Sequence, residues 1–361
     1  MEKNNSNLNP FEIPGEGPHE SEGDTFATWK EARTIVSLVG DAPRFISSTT
    51  HFLNIDAQNG DTECSLESMS CLLQLLKSPS FKSAIYYAAK TFHPKQIEGK
   101  ELHNLRTLAR IHKPSELSAL IALLYLYRRI RKGCDKELFD RYAKEMHEEA
   151  EIAGLFGQAV EPIGLGFSQL SIILPFLGKM MMLGIDKKKF QKYRTYCKVA
   201  KLPHDIAWEE SNFGCNHLQI SLLLIQSLGF GKTLFDAFTL GYQSTSLEGI
   251  KPESLTYRLR LIRIWVSSLL SSLEPPDMTH RGEYYPMKSD LDHLIAAAKD
   301  IRQGPEKLLR WITRGKCDIG PLMTPELFRG DASEESEGSG PLAEKLEQEL
   351  LEEFQSAGMN F

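Results

Sequence analysis

The sequence predicts an all-α protein, a multi-helix bundle, on three observations. Apolar residues recur every three or four positions in segment after segment, the spacing that lines one face of a helix. Short stretches marked by Gly or Pro divide these segments, and no stretch alternates apolar and polar residues as a half-buried strand would. No repeat of about 34 or 40 residues runs through the chain, which separates the pattern from a helical solenoid.

The elements follow in order. Ser65 supplies an N-cap, and Met69, Leu72, Leu73, Leu75 and Leu76 form the stripe of a helix that stops before Ser78-Pro79. Pro79 suits the first turn of the next helix, with apolar positions Phe81, Ala84, Ile85, Ala88 and Ala89. Helices are then expected over 103–111, over 115–130 after Pro114, and over 137–155, 167–183 and 186–200. Further helices are expected over 217–227, 234–240, 254–273, 289–301 and 305–313.

The composition is that of an ordinary folded protein: 41% hydrophobic and 25% charged over 361 residues, with a formal net charge of −6. That charge is unevenly distributed. Residues 1–25 carry −5 and residues 331–361 carry −8, leaving +7 on the segment between them. The first 25 residues, rich in Asn, Gly, Pro, Ser and Glu, are expected to form a disordered arm. Residues 331–341 are expected to form an acidic linker, and Leu342, Leu346, Leu350, Leu351 and Phe354 the apolar stripe of a short amphipathic helix. The expected organisation is therefore arm 1–25, helical domain 26–250, a helical extension of the same body over 251–330, and a tail over 331–361.

No apolar run is read as reaching the ~20 residues of a membrane span, and no signal-peptide pattern opens the chain. Cys64, Cys71, Cys134, Cys197, Cys215 and Cys317 form no Cys-x-x-Cys pair, so they read as scattered thiols. The expected compartment is the cytoplasm, with no membrane contact.

Several motifs carry candidate chemistry. Residues 227–233, SLGFGKT, suggest a phosphate loop, but Gln226 stands where the first Gly must be and no strand precedes it; the glycines end one helix and Lys-Thr opens the next. His204-Asp205 is an adjacent His-Asp pair of the kind that holds metal in HD-type phosphohydrolases, although an Asp just after Pro203 also suits a helix start. Two basic runs stand out. Arg128, Arg129, Arg131 and Lys132 close one helix. Lys187, Lys188, Lys189, Lys192, Arg194, Lys198 and Lys201 cover another, interleaved with Phe190, Tyr193 and Tyr196, as a nucleic-acid surface or a solvated face would be. The run Lys179-Met180-Met181-Met182 reads as core, and Asp290, Asp292 and His293 as a helix start capped by Ser289.

The most specific stretch is EESNFGCNH at 209–217, followed by LQISLLLIQSLGF to Phe230. It resembles the "E…FG-x-[DN]-H…LL…WGLP" segment of HDOD domains, the HD-related output domains of bacterial signalling proteins. LLKSPSFKSAIYYAA at 75–89 is similar to that family's "DP-x-L-A…A-N" helix, residues 105–111 to the helix after it, and ILPFLGK at 173–179 to its "LLHDIGK" helix. The segments fit in order over about residues 45–245. On this resemblance Phe213, Gly214, Asn216, His217 and Gly229 are the motif residues, structural or binding. The sequence departs from the related catalytic pattern at two places. Pro175-Phe176 stands where the His-Asp pair would be, and Gly241-Tyr242-Gln243 where a later His pair would be.

What the resemblance implies is an HD-like helical bundle without hydrolase chemistry: a non-enzymatic signalling or regulatory protein with no cofactor, acting on a protein partner or a small signal molecule. The alternative is a metal-dependent HD-type phosphohydrolase using His147, His204, Asp205 and His217. A third reading, not favoured, is a nucleic-acid-binding regulator that uses the 187–201 helix, with Lys187, Lys188, Lys189, Lys192 and Arg194 as its contacts.

Overall fold

A computed structural model describes residues 22–98, 105–278, 282–304 and 309–315. Among these residues there are sixteen α-helices and no strand, so the protein is all-α. The arm over 1–21, the linker and amphipathic segment over 331–361, and Cys317 lie outside the described residues.

Helix α1 spans Glu22–Ser37, α2 Arg44–Asn59, α3 Leu66–Leu75 and α4 Pro79–Phe92. Two single-turn helices, α5 (Pro94–Ile97) and α6 (Leu105–Ala109), lead to α7 (Pro114–Gly133). The next helices are α8 (Lys136–Ala159), α9 (Leu165–Ile185), α10 (Lys187–Ala200), α11 (Ile206–Phe213) and α12 (His217–Gln226). Helices α13 (Lys232–Gly241), α14 (Leu255–Ser272), α15 (Lys288–Gln303) and α16 (Arg310–Thr313) complete the described chain.

The start signals act as the sequence suggests. Ser65, Asp135, Asp186 and Ser254 each accept a hydrogen bond from the backbone N–H three residues on, which satisfies one of the open donors of the first turn. Pro79 and Pro114 occupy the first turns of α4 and α7, where their missing N–H has no cost. Three helices were not expected, α1, α2 and α5, and of α11 the sequence shows only the start, where Asp205 after Pro203 is the N-cap. Helix α1 begins at Glu22, inside the stretch assigned to the arm, and α2 carries Ser47, Thr49 and Thr50, whose hydroxyls bond back to backbone carbonyls of the same helix. Such residues blur the helical period in sequence. The start of α15 also differs, because Met287 and not Ser289 is its N-cap, and no side chain caps it.

Helix α9 is the axis of the bundle. It packs most extensively on α7, α8 and α12, and Leu165, Ile173, Leu174, Leu177 and Met182 are fully or almost fully buried. A helix apolar on every side needs protein around it. At 21 residues α9 is also the one described helix long and apolar enough to cross a membrane by length and composition, which amends the expectation that no run reaches that length. Gly178 permits the α9–α12 crossing: a Cβ there would lie 2.1 Å from the His217 carbonyl oxygen and 2.3 Å from Ser221 Oγ. Helix α14 packs on α13 and α8, α15 on α8, and α16 on α4. Trp265 and Trp311, from residues after 250, are both buried in the same apolar cluster as α9.

Candidate functional site

The residues around His217 form a buried polar cluster where α9, α11 and α12 meet. Asn216 is the N-cap of α12: its side chain accepts from the Gln219 N–H at 3.0 Å, while Gln219 Oε1 accepts from the Asn216 N–H at 3.0 Å. That reciprocal box fixes the start of α12 and directs His217 inward. Gly214 ends α11 with φ +76°, a left-handed turn that a Cβ would strain, and Gly229 ends α12 with φ +83°. The α12–α13 turn is pinned to α2, where Thr50 donates to the Leu228 carbonyl at 2.8 Å and Asn54 to the Gly229 carbonyl at 3.3 Å. Phe213 is buried, with the Lys189 ammonium 5.4 Å from its ring centroid. Phe213, Gly214 and Asn216 thus shape the turn before His217, and Gly229 belongs to the turn at the far end of α12.

His217 and Glu209 are both fully buried. Glu209 Oε2 accepts from the His217 backbone N–H at 2.8 Å and lies 2.7 Å from His217 Nδ1, and Oε1 accepts from the Tyr193 hydroxyl. A carboxylate only accepts, so Nδ1 carries the ring proton. Burial alone would raise the Glu209 carboxyl, but the adjoining His217 ring and the hydrogen bonds from His217 and Tyr193 bring it down to about 2. Burial pushes the His217 imidazole down, against the pull of the Glu209 carboxylate. Its Nε2 has no partner, and the His204 ring stands edge-on with centroids 5.2 Å apart.

The four residues of the phosphohydrolase reading do not assemble into a ligand set. His204 and His217 are neighbours. Asp205 instead caps α11, accepting from the Trp208 N–H at 2.9 Å and from the Tyr196 hydroxyl at 2.7 Å. His147 on α8 lies 3.2 Å from the Tyr127 hydroxyl of α7. Among the described residues, the one group of three His, Cys, Asp or Glu side chains with ligand atoms mutually within 4.8 Å is His93, His112 and Glu116, elsewhere in the fold. In sequence its only sign is that His112 and Glu116 stand four apart at a helix start.

Pro175 and Tyr242 meet in space. Pro175 lies inside α9 and has no N–H to give the carbonyl four residues earlier, that of Ser171. The Tyr242 hydroxyl donates to that carbonyl at 2.5 Å. Tyr242 is held in turn by the Arg263 guanidinium, 4.5 Å from its ring centroid. Phe176 packs edge-on against Phe139, centroids 5.4 Å apart. Side chains of the protein's own core therefore fill this place.

Tyr242→Phe should cost about 1–2 kcal/mol, the penalty for one buried carbonyl left unpaired. In a Pro175→Ala background the same change should cost much less, because an alanine at that position restores an N–H for the Ser171 carbonyl. Urea denaturation of the four proteins checks this; equal costs in both backgrounds would separate the two residues.

The cluster also sets an acid limit. Burial lowers His147 to about 4, and burial first, then the neighbouring His217 and Lys179, lowers His204 to about 3. Both lie below the 6.5 of an unfolded chain. As pH falls from 6.5 toward 4.5 the unfolded chain takes up protons that the native one refuses, so stability drops. The limit is about 1.4 kcal/mol per pH unit for each histidine. Denaturation midpoints should fall between pH 7 and pH 5, and less in His147→Phe or His204→Gln. A midpoint unchanged over that interval would contradict the assignment.

The basic helix α10 is partly committed within the protein. Lys187 pairs with Asp135 at 2.5 Å, Lys189 donates to the Asn212 carbonyl at 2.8 Å and Arg194 pairs with Glu145 at 3.0 Å, while Lys188 and Lys192 are exposed. Gly231, Lys232 and Thr233 only open α13. Asp290, Asp292 and His293 lie in the first turns of α15 and belong to no three-residue ligand group.

A groove of about 490 Å³ opens on another face, between the α1–α2 connection, α7 and α12. Val36, Asp41, Tyr125, Leu223 and Gln226 line it. No family profile, no curated protein and no solved structure matches the chain.

Proposed function

We propose that the chain is a non-enzymatic regulatory protein of HDOD type, acting by binding a protein partner or a small signal molecule. The observation that carries this reading is the Tyr242–Ser171 hydrogen bond over Pro175. It couples the two positions at which the resemblance sets metal-binding residues, and with Phe176 against Phe139 it leaves core packing where a hydrolase would hold its metal and water. Glu209 supports the same reading, because its contacts to His217 and Tyr193 engage both carboxylate oxygens within the protein. For binding, the groove beside α12 has the volume and the mixed apolar and polar lining of a ligand site.

The test has two parts. Purified protein supplied with Mn²⁺, Fe²⁺ or Mg²⁺ should hydrolyse generic phosphomonoesters and phosphodiesters no faster than buffer; turnover that Asp205→Ala or His204→Ala abolishes would establish the phosphohydrolase instead. Gln226→Trp, which fills the groove from an exposed position, should then abolish recovery of a partner that the wild-type chain captures from cells. No partner with either protein, or the same partner with both, would count against the groove.

A further inference from the structure

His93, His112 and Glu116 are all buried, and they join three consecutive parts of the chain. His93 is the C-cap of α4, His112 lies between α6 and α7, and Glu116 stands in the first turn of α7, where Oε2 is also 3.4 Å from the Lys113 N–H. Glu116 Oε2 lies 2.9 Å from His93 Nε2 and 3.3 Å from His112 Nδ1. The two imidazoles stand edge to face with centroids 4.9 Å apart.

The proton positions make this more than a hydrogen-bonded knot. His112 Nε2 lies 3.2 Å from the Ile85 carbonyl oxygen, which only accepts, so Nε2 carries the proton. In a neutral ring Nδ1 is then a lone pair, and it faces a carboxylate oxygen that is also only an acceptor. Two acceptors at 3.3 Å need a cation between them. His93 Nε2, 2.9 Å from the same carboxylate oxygen, donates its proton there in the metal-free protein, since its Nδ1 is buried with no partner. An ion at this point displaces that proton to Nδ1, and three lone pairs from two imidazoles and one carboxylate then converge.

We infer that His93 Nε2, His112 Nδ1 and Glu116 Oε2 bind a divalent transition-metal ion of the zinc class. Zinc takes imidazole nitrogen and carboxylate oxygen at about 2.0–2.2 Å in a tetrahedron, which sets neighbouring ligand atoms about 3.3 Å apart. Of the two separations from Oε2, the 3.3 Å to His112 matches that value and the 2.9 Å to His93 is slightly shorter. A backbone carbonyl on the far nitrogen, as Ile85 provides for His112, is the usual outer support of a metal-bound histidine, fixing tautomer and ring orientation. Three protein ligands leave one position for a water or for Glu116 Oε1. Such an ion would pin the end of α4 to the start of α7, a structural role separate from the polar cluster around His217.

The experiment is metal analysis of the full-length chain, purified from zinc-supplemented cells and exchanged into metal-free buffer. About one zinc per chain is expected, lost in His112→Gln and in Glu116→Gln and retained in His204→Ala. A second reading needs no variant: Co²⁺ added to the metal-stripped wild-type protein should give the intense visible bands of a tetrahedral site, and one equivalent of Zn²⁺ should bleach them. Substoichiometric zinc together with no cobalt bands would overturn the inference and leave a second proton on His112 as the cation. Zinc that disappears in His204→Ala but survives in Glu116→Gln would overturn it equally, by placing the ion at the His204–His217 pair.

Discussion

Glu209→Ala is expected to lower the unfolding free energy by about 3–5 kcal/mol, the usual cost of removing one partner from a buried, hydrogen-bonded pair. The change strands three donors together: the His217 backbone N–H, the His217 Nδ1–H and the Tyr193 hydroxyl. None can reach water, because His217 is fully buried and Tyr193 is 1% exposed. Tyr193→Phe removes one donor to Glu209 and the acceptor of the Asp205 N–H, and should cost about 1–2 kcal/mol. Chemical denaturation measures both. A Glu209→Ala cost no larger than that of Tyr193→Phe would mean that the carboxylate is not the hub of the cluster.

Gly178→Ala is the second large effect. Alanine normally gains about 1 kcal/mol over glycine inside a helix. Here the added methyl meets the His217 backbone carbonyl at 2.1 Å, an atom that moves only if α12 moves. Overpacking of this kind costs about 1–3 kcal/mol and more when backbone must shift, so the sign of the propensity effect is reversed. Gly133→Ala, at the last residue of α7, is the control, since a Cβ there has nothing within 4 Å. The same denaturation series should show Gly178→Ala strongly destabilised and Gly133→Ala close to wild type. Equal midpoints would contradict the close α9–α12 contact.

Much of the fold was legible because local chemistry and tertiary packing agree. Ser65 is a cap in sequence and a cap in the structure, Asp135, Asp186 and Ser254 are caps of the residue types that favour that position, and the apolar spacing of α4, α7, α8 and α14 needed no tertiary information. The misses have physical causes. Helix α2 hides among Thr and Ser residues whose hydroxyls bond within their own helix. Helix α11 is eight residues long, with Glu209, its most consequential side chain, buried by a partner on the next helix.

The site was legible only in part for a similar reason. The importance of the segment from Glu209 to His217 shows in its motif, but whether His204, Asp205, His147 and His217 converge depends on side-chain direction. Asp205 turns to its own helix N-terminus and His147 to Tyr127, and spacing along the chain does not encode either choice. The compensation between Pro175 and Tyr242 was equally invisible, since it spans 71 positions of sequence. His93, His112 and Glu116 escaped notice because Glu116 doubles as an ordinary N-terminal capping residue of α7.

The proposed function requires that core packing, and no metal ion, fill the space around Pro175, Phe176 and Tyr242. Anomalous diffraction from crystals grown with Zn²⁺ or Mn²⁺ tests it most directly. The expected result is no anomalous peak between α9 and α12, with Tyr242 on the Ser171 carbonyl and Phe176 against Phe139, and any bound ion at His93, His112 and Glu116. A metal peak coordinated by His204 and His217, with Tyr242 displaced from Ser171, would contradict it.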